Sequence, residues 1–330
     1  MEITSFLPPD IIRMIVSAVV IISFVFLNAM VMTYAERKLA GHFQRRPGPM
    51  EVGSHGLLQV IVDGLKLIGK QLILPKDVDR PLFRLAPLLA FIPVVLPFIV
   101  IPFSEKLQVA DLNIGLIFIL AISSLNGMAV LIAGWSSNNK YSLFGALRSV
   151  AQNIAYEIPI LLVVLTVALM ANTFSLKGLV EAQSGMWFIL LQPVAFIIYF
   201  IAGLAETNRA PFDLSEAESE LTAGFHTEYS GMGFSLFFLG EYANMFVVCS
   251  IATILFLGGW HGIPLPFLEY TGVFWFLLKV YALLFVMIWC RWTYPRVRFD
   301  QLMNLAWKYL IPFSLVNFII TAIVLVIVKL

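Results

Sequence analysis

The sequence predicts an all-α integral membrane protein with eight transmembrane helices and one interfacial amphipathic helix in the first cytoplasmic loop, within a single polytopic membrane domain that covers residues 1–330. Of the 330 residues, 60% are hydrophobic and only 12% are charged, and the mean hydropathy is +0.91. A helix needs about 20 apolar residues to cross the hydrocarbon layer, and the chain contains eight stretches of about that length. The alternating ten-residue pattern of a membrane barrel is missing from the sequence.

The eight apolar stretches define the predicted spans. They lie at residues 11–33, 82–103, 114–135, 151–171, 187–206, 234–257, 273–291 and 309–328. The first stretch has neither a basic start nor a small-residue cleavage site, so it is predicted to be a retained span rather than a signal peptide. Four prolines in the second span predict a kink or local unwinding there. An even number of spans places both termini on one side of the membrane.

Basic residues predict which side that is. Of the 21 Lys and Arg residues, 16 fall on the loops and ends at one face, here called the basic face. The other face has only Arg13, Lys106, Lys177 and Lys329, and Lys279 lies inside a span. By the positive-inside rule the basic face is cytoplasmic, or faces the matrix in an organelle, and both termini lie on the other side. The preferred location is a bacterial inner membrane with both termini periplasmic, and an organellar inner membrane is the alternative. The net charge of +1 gives no indication of a nucleic-acid partner.

Residues 57–70, between the first two spans, predict the interfacial helix. Gln59, Asp63, Lys66 and Lys70 follow one another at intervals of four, three and four residues, which places them on one stripe of an otherwise apolar helix. Fourteen residues reach only about 21 Å and cannot cross the membrane. The helix is therefore expected to lie along the membrane surface, either as a brace or as the wall of a cavity open to lipid.

Cofactor and metal motifs are missing from the sequence. Cys249 and Cys290 both lie within spans and form no CxxC pair, so they are predicted to be core residues. The four histidines have no spacing typical of a metal site. There is also no GxGxxG after a strand, no Walker loop and no GxSxG elbow. The chain is therefore predicted to bind no metal and no cofactor alone, and any nucleotide, flavin or iron–sulfur chemistry is assigned to other subunits.

Residues 205–242 are unusually acidic for a membrane protein. They hold seven of the 20 acidic residues and a single base. A carboxylate at bilayer depth costs about 2.5–3.5 kcal/mol on insertion scales, so such a cluster usually marks an ion path. A capping box starting at Asp213 or Ser215 would explain two of the acids, but not Glu216 and Glu220, which are four residues apart and repel each other. Clustered carboxylates in a poorly solvated setting share protons, as a proton path requires.

Three charged residues fall inside predicted spans, away from the first and last turns of those spans. Glu157 lies near the inner end of the fourth span, Glu241 lies one to two turns into the sixth, and Lys279 lies in the seventh. A buried carboxylate and a buried amine favour pairing, so Glu157 and Glu241 are both candidate partners of Lys279.

Seven motifs together resemble one family along nearly the whole chain. They are AERK at 35–38, GLLQ at 56–59 with Asp63 and Lys66 downstream, AGWSSNNKY at 133–141, RSVAQNIAYE at 148–157, AETNRAPFDLSEAESELTAGFHTEYS at 205–230, FFLGEYANM at 237–245 and PRVRFDQLMNLAWK at 295–308. The chain resembles the membrane subunit of respiratory NADH:quinone oxidoreductase (complex I) that forms the quinone chamber, which is called the H subunit in bacteria and subunit 1 in mitochondria.

The resemblance implies a translocase subunit that couples quinone reduction to proton, or alternatively sodium, movement. Quinone would be the substrate, while FMN and the iron–sulfur clusters would reside in partner subunits. Those partners would be the peripheral-arm subunits on the cytoplasmic face and neighbouring membrane-arm subunits. Quinone would enter from the lipid between span 1, the interfacial helix and span 6. The implied quinone-chamber residues are Glu36, Arg37, Asp63, Arg209, Asp213 and Glu228, and the implied proton-path residues are Glu157, Glu206, Glu216, Glu218, Glu220 and Glu241.

Three other interpretations remain open at this point. A homologous subunit of an energy-converting hydrogenase or formate-hydrogenlyase complex would need no quinone, although the first loop and the PFDL stretch favour the respiratory members. A stand-alone cation antiporter would be expected to show two matching halves with interrupted spans, which are not evident. A structural anchor for a soluble enzyme would leave the intramembrane acids without a purpose.

Overall fold

The structure is a computed structural model that describes residues 9–214, 218–262 and 271–329. Within these ranges its regular structure is helical, as the sequence predicts, with thirteen α-helices and no strand. In chain order they are α1 Pro9–Phe43, α2 Gln59–Gly69, α3 Arg80–Val95, α4 Gly115–Ser136, α5 Lys140–Ala171, α6 Leu176–Glu181, α7 Phe188–Leu191, α8 Pro193–Glu206, α9 Glu218–Leu221, α10 Gly231–Phe256, α11 Thr271–Thr293, α12 Phe299–Asn304 and α13 Ile311–Lys329.

Seven helices in the described ranges are long and apolar enough to cross a membrane. The predicted fifth span, 187–206, is not among them, because it is divided into α7 and the 14-residue helix α8. The division occurs at Gln192, whose backbone leaves the helical region (φ −132°, ψ 56°) just before Pro193, which has no N–H to continue a helix. The Gln192 side chain donates to Thr321 and accepts from Asn317 of α13, which satisfies this polar group.

Two helices exceed the predicted spans by about three turns. Helix α1 has 35 residues and α5 has 32, so each is about 50 Å long and exceeds the hydrocarbon layer by several turns. Both extend beyond the predicted spans at the basic face. This extension places Glu36, Arg37 and Arg148 on rigid helices rather than on loops.

The prolines of the second span shorten α3 as expected. The α-helix ends at Val95, and a 3-10 turn follows at Leu96–Ile99 with Pro97 near its start. A proline inside a helix removes a backbone hydrogen bond and clashes with the preceding turn, which explains the change of geometry.

Helix α10 is the centre of the bundle. Its most apolar 18-residue window is 83% buried, whereas the corresponding windows of the other six candidate spans are 11–50% buried. The Phe246 ring lies within 6.4 Å, centroid to centroid, of the rings of Phe24, Phe98 and Phe103. Polar residues on α10 therefore face other helices rather than lipid.

Lys279 lies near the end of α10 that is opposite the basic face. Its Nζ donates to the carbonyl oxygens of Leu257 (2.6 Å), Gly259 (3.0 Å) and His261 (2.6 Å), and it lies 4.5 Å from the centre of the Trp187 ring. These contacts use all three ammonium protons on backbone groups that follow α10. The described contacts of Lys279 therefore give it a helix-capping environment and not a carboxylate partner.

Candidate functional site

A cluster of buried charges lies where α1, α10 and α11 meet the segment after α8. Glu36 and Arg209 are only 6% and 5% exposed. The carboxylate of Glu36 accepts hydrogen bonds from the Tyr242 hydroxyl at 2.7 Å and from Arg291. Arg209 lies 3.9 Å from Glu36 and 3.3 Å from Glu241, measured between nitrogen and oxygen atoms. Its guanidinium also lies 4.5 Å from the centre of the Tyr242 ring.

The backbone after α8 brings Arg209 into this cluster. Asn208 adopts a left-handed conformation (φ 50°), which asparagine tolerates better than most residues and which turns the chain back toward the bundle. The side-chain amide of Gln152 on α5 then donates to the carbonyls of Ala205 (2.7 Å) and Phe212 (2.9 Å). The segment is thus fixed at both ends. An arginine held in this way can contact two carboxylates without moving.

Asp213 lies at the edge of the same cluster. Its carboxylate accepts a hydrogen bond from Arg296 at 3.3 Å. Burial raises the pKa of Asp213, and the positive charge of Arg296 opposes this effect only in part. Asp213 is therefore easier to protonate than an exposed aspartate.

A groove of about 350 Å³ opens beside the charge cluster, between α1, α2 and α10. Most of its walls are apolar, with Phe26, Met30, Leu67, Ile68 and Phe238 among them. Its volume and lining are typical of a site for a small apolar ligand. The groove is formed by the same three elements that the resemblance implies for quinone entry.

Arg37 and Asp63 connect α1 and α2 at the end of the groove nearer the basic face. Arg37 Nη1 donates to Asp63 Oδ2 at 2.5 Å, and Gln59 donates to the other oxygen at 3.0 Å. Burial tends to raise the pKa of Asp63, but the hydrogen bonds from Arg37 and Gln59 and the charge of Arg37 outweigh it and hold this pKa below its usual value. Asp63 is thus a stable anion that holds α2 against α1.

Tyr242 connects the groove to the charge cluster. Its side chain lines the groove, and its hydroxyl donates to Glu36. A polar group at this end of the groove would consequently meet Tyr242, which is hydrogen-bonded to Glu36. Behind it lies Arg209, which is ion-paired with Glu36 and Glu241.

Two adjoining cavities that are lined in part by polar side chains, here called the polar cavities, lie beside the cluster. One, of about 30 Å³, is lined by Glu241, Asn126 and Glu206 among others. The second, of about 120 Å³, is lined by Glu206, Asn126 and Glu157 among others. Glu206 and Asn126 contribute to both, so they separate the two spaces. A cavity of the smaller size can hold about one water molecule and the larger can hold several, so water could connect the three carboxylates.

Two other residues implied by the resemblance, Glu220 and Glu228, do not line these cavities. Glu220 is 57% exposed and forms a 2.5 Å ion pair with Arg148. Glu228 accepts a hydrogen bond from Asn139 at 2.6 Å. Glu216 lies outside the described residues, and Glu218 begins α9 but its side chain is not described. In the described part of the chain, no group of three or more His, Cys, Asp or Glu side chains could hold a metal ion.

Sequence reasoning did not select Tyr242, Arg291 or Asn126. Tyr242 could have been found from its position next to Glu241, within the FFLGEYANM motif. Arg291 counted only as one base of the basic face, although it ends an apolar span where a charge needs a partner. Asn126 lies in an apolar helix, and only the packing of α4 against the two cavities reveals its position.

A family model and several known proteins match most of this chain, and they identify the same family. The model of a family described as NADH dehydrogenase matches residues 16–322. The H subunit of NADH-quinone oxidoreductase from Desulfotalea psychrophila is 50% identical over 323 residues, which cover 94% of this chain and 96% of that protein. The H subunits of the same enzyme from Dehalococcoides mccartyi strain CBDB1 and Geobacillus kaustophilus are 50% and 51% identical, over 94% and 88% of this chain and 86% and 87% of their own lengths.

Proposed function

Because this chain belongs to the NADH dehydrogenase family, we propose that it is the membrane subunit of an NADH:quinone oxidoreductase that forms the quinone chamber with the peripheral arm. In this role it couples quinone reduction to proton translocation. It is part of an enzyme but not catalytic alone, because NADH oxidation and electron transfer use FMN and iron–sulfur clusters of partner subunits. The observation that supports this most directly is the apolar groove ending at Tyr242, next to the buried carboxylate of Glu36.

The membrane arrangement follows from the helices and the distribution of charge. Helices α7 and α8 together make an eighth crossing, since the chain leaves α6 at one end of the bundle and reaches Arg209 at the other. Both termini are then periplasmic, and the basic face is cytoplasmic. Helix α2 lies along the inner membrane surface with Leu65 and Ile68, each 63% exposed, toward the lipid. The peripheral arm docks on the basic face, and part of the exposed apolar surface of the bundle contacts neighbouring membrane-arm subunits.

Quinone binds with its apolar tail in the groove between α1, α2 and α10. The tail requires a long apolar passage, which the groove supplies, and the headgroup passes Tyr242 on its way to the peripheral arm. Arg37 and Asp63 keep the wall of the passage in place through their ion pair. Asp213 and Glu228 lie at the basic face, where the chamber is completed by the peripheral arm.

Proton coupling begins at the charge cluster. Reduction of quinone takes up two electrons and two protons, and the transient negative charge is strongly felt by carboxylates in a water-poor cavity. Arg209 contacts both Glu36 and Glu241, so a change of charge at Glu36 alters the balance at Glu241. From Glu241 the two polar cavities lead to Glu206 and then Glu157. Protons are proposed to reach this path from the acidic stretch between α8 and α10, which contains Glu216, Glu218 and Glu220.

The lipid-accessible groove also distinguishes this function from the alternatives. In a hydrogenase-type complex a partner subunit reduces protons, so the membrane subunit needs no tunnel for a long apolar tail. An antiporter needs ion access from both sides instead. In this chain the apolar groove and the polar cavities both border the same charge cluster, as expected of a protein that couples quinone reduction to proton translocation. The identity to H subunits of NADH-quinone oxidoreductase supports the same choice.

Gly64 allows the groove to be filled without disturbing the backbone. A Cβ at Gly64 or at Gly69 would meet no atom within 4 Å, and only Gly64 lines the groove. We expect Gly64→Leu to slow reduction of long-tailed quinone by about tenfold or more and to affect short-tailed analogues less, because the longer tail needs more of the passage.

Gly69→Leu is the matched control, since it adds the same side chain to the same helix away from the groove. Electron transfer from NADH to ferricyanide, which takes electrons upstream of quinone, should stay normal in both variants. Equal loss with long and short quinones in a fully assembled Gly64→Leu complex would reject the tunnel role.

A further inference from the structure

A second apolar groove lies at the end of the bundle opposite the basic face. It has a volume of about 430 Å³ and is enclosed by the first half of α1, the segment that follows α3, and the first turns of α11. Its walls are mainly apolar, and the exposed fractions of Val16 and Val20 are 55% and 60%. Two exposed cations, Arg13 and Lys106, also line it.

The part of the groove that carries Lys106 is fixed by hydrogen bonds. Phe103 N donates to Leu107 O at 3.0 Å, and Leu107 N donates to Ser104 Oγ at 3.1 Å, which closes a tight turn around Lys106. Gln108 adds a hydrogen bond to Val100 O at 2.8 Å. The Phe103 ring packs edge-on against Phe24 of α1 at 5.4 Å, which joins the turn to the floor of the groove. The cation is therefore presented at a preformed edge.

We propose that this groove binds an anionic phospholipid of the leaflet opposite the basic face. One acyl chain lies in the apolar groove, and the phosphate lies between Arg13 and Lys106. The sequence assigns only four Lys or Arg residues to this face, and two of them border this single groove. Basic residues that flank an apolar cleft at the membrane surface recognise anionic headgroups.

The size of the groove favours a lipid over a protein partner. A transmembrane helix with side chains is about 10–12 Å across and needs a broad face to pack against. A groove of about 430 Å³ is instead in the range of sites for small apolar molecules. The two cations also match a phosphodiester better than they match the apolar surface of a neighbouring helix.

Photolabelling of the assembled complex tests the proposal. The complex is reconstituted in phosphatidylcholine vesicles that contain a trace of phosphatidylglycerol with a diazirine at the end of one acyl chain. After illumination, labelled peptides from the first half of α1 or the first turns of α11 are expected. A phosphatidylcholine probe with the same diazirine should label these peptides much less, and excess unlabelled phosphatidylglycerol should compete. This comparison needs no altered protein.

Variants then assign the labelling to the groove. The double change Arg13→Gln and Lys106→Gln should reduce labelling about tenfold, since each basic residue near the surface contributes severalfold to anionic-lipid binding. Val20→Trp should reduce it by filling the groove while both cations remain. Lys177→Gln, on the same face but outside the groove, is the matched control. Equal labelling by both probes, persistence in the double variant, or cross-links from the groove to another subunit would overturn the proposal.

Discussion

Glu36 is held by groups from three separate parts of the chain. Tyr242 of α10 and Arg291 of α11 donate hydrogen bonds to it, and Arg209 lies close by. A carboxylate that is only 6% exposed stays charged only if such partners replace the lost water. Each partner also belongs to a different structural unit, so a change of charge at Glu36 acts on the segment after α8, on α10 and on α11 together.

Tyr242→Phe isolates the contribution of one hydroxyl in this cluster. The ring remains to line the groove and to contact Arg209, but Glu36 loses a hydrogen bond of the charged type, worth about 1.5–3 kcal/mol. We expect quinone-reductase turnover to fall about tenfold or more, with KM nearly unchanged and NADH:ferricyanide activity intact.

Tyr281→Phe is the matched control for Tyr242. Its hydroxyl donates to Asn28 at 2.9 Å in another part of the bundle. The variant should therefore lose only this hydrogen bond and keep a nearly normal turnover. A similar fall in turnover for both variants would mean that the Tyr242 hydroxyl has no special role in coupling.

Glu206 and Glu220 provide a contrast between a cavity carboxylate and a surface carboxylate. Glu206 borders both polar cavities, whereas Glu220 is 57% exposed and paired with Arg148. Such surface pairs contribute about 0–1 kcal/mol to stability, so loss of this pair in Glu220→Gln should not impair assembly.

We expect Glu206→Gln to lower quinone reduction and proton pumping together by more than about tenfold, because it removes the titratable group that joins the two cavities. Glu220→Gln should change both by less than about threefold, because Glu216 and Glu218 of the same acidic stretch remain to supply protons. Proton uptake into inverted vesicles and quinone-reductase rates measure the two quantities. Equal losses would move the proton path from the cavities to the loop.

At the scale of helices, hydropathy predicted which segments are apolar but not where each helix ends. The spans 11–33 and 151–171 were correct in their apolar parts, yet α1 continues to Phe43 and α5 begins at Lys140. These extra turns contain charged and polar residues that a hydropathy window excludes, and they are stabilised by contacts with other segments. Ser142 on α5, for example, donates a hydrogen bond to the carbonyl of Phe225 at 2.8 Å.

The break in the predicted fifth span is explained by contacts with residues that are distant in the sequence. Its composition is as apolar as that of its neighbours, so the sequence predicted one continuous helix at 187–206. The break depends on Gln192, whose amide is satisfied by Asn317 and Thr321, more than a hundred residues away. Long-range partners of this kind, like those of Glu36, are not visible in local periodicity. The acidic stretch could be recognised from composition alone, whereas its separation into cavity and surface acids needed the fold.

Lys279→Met tests whether the charge of Lys279 stabilises the backbone that follows α10 or takes part in ion transfer. The change removes three donors and leaves the carbonyls of Leu257, Gly259 and His261 in a poorly solvated place. Each lost partner costs about 1–3 kcal/mol, so the amount of assembled complex and its thermal midpoint should fall.

Quinone-reductase turnover per assembled Lys279→Met complex should remain near that of the unaltered protein. Lys177→Met, on α6 at the same face, is the control and should leave assembly unchanged. Normal assembly with a strongly reduced turnover would instead place Lys279 in the coupling path.

The whole molecule has an uneven charge distribution that predicts its orientation. Gly185 lies between α6 and α7 on the face with few bases, and a Cβ there would meet no atom within 4 Å. Lys76 is exposed in the segment before α3 on the basic face. In a background with Cys290→Ser, where the remaining Cys249 is fully buried, Gly185→Cys should react with a membrane-impermeant maleimide in intact spheroplasts.

Lys76→Cys should react only in inverted vesicles from which the peripheral arm has been removed by an alkaline wash. The reason is that translocation of basic loops is disfavoured, so the 16 Lys and Arg residues of the basic face hold it in the cytoplasm. Permeabilised cells provide the reference for full labelling of each cysteine. If Lys76→Cys reacts in intact spheroplasts and Gly185→Cys does not, the orientation is reversed, and the charge cluster of Glu36 would face the side where no NADH-oxidising arm could dock.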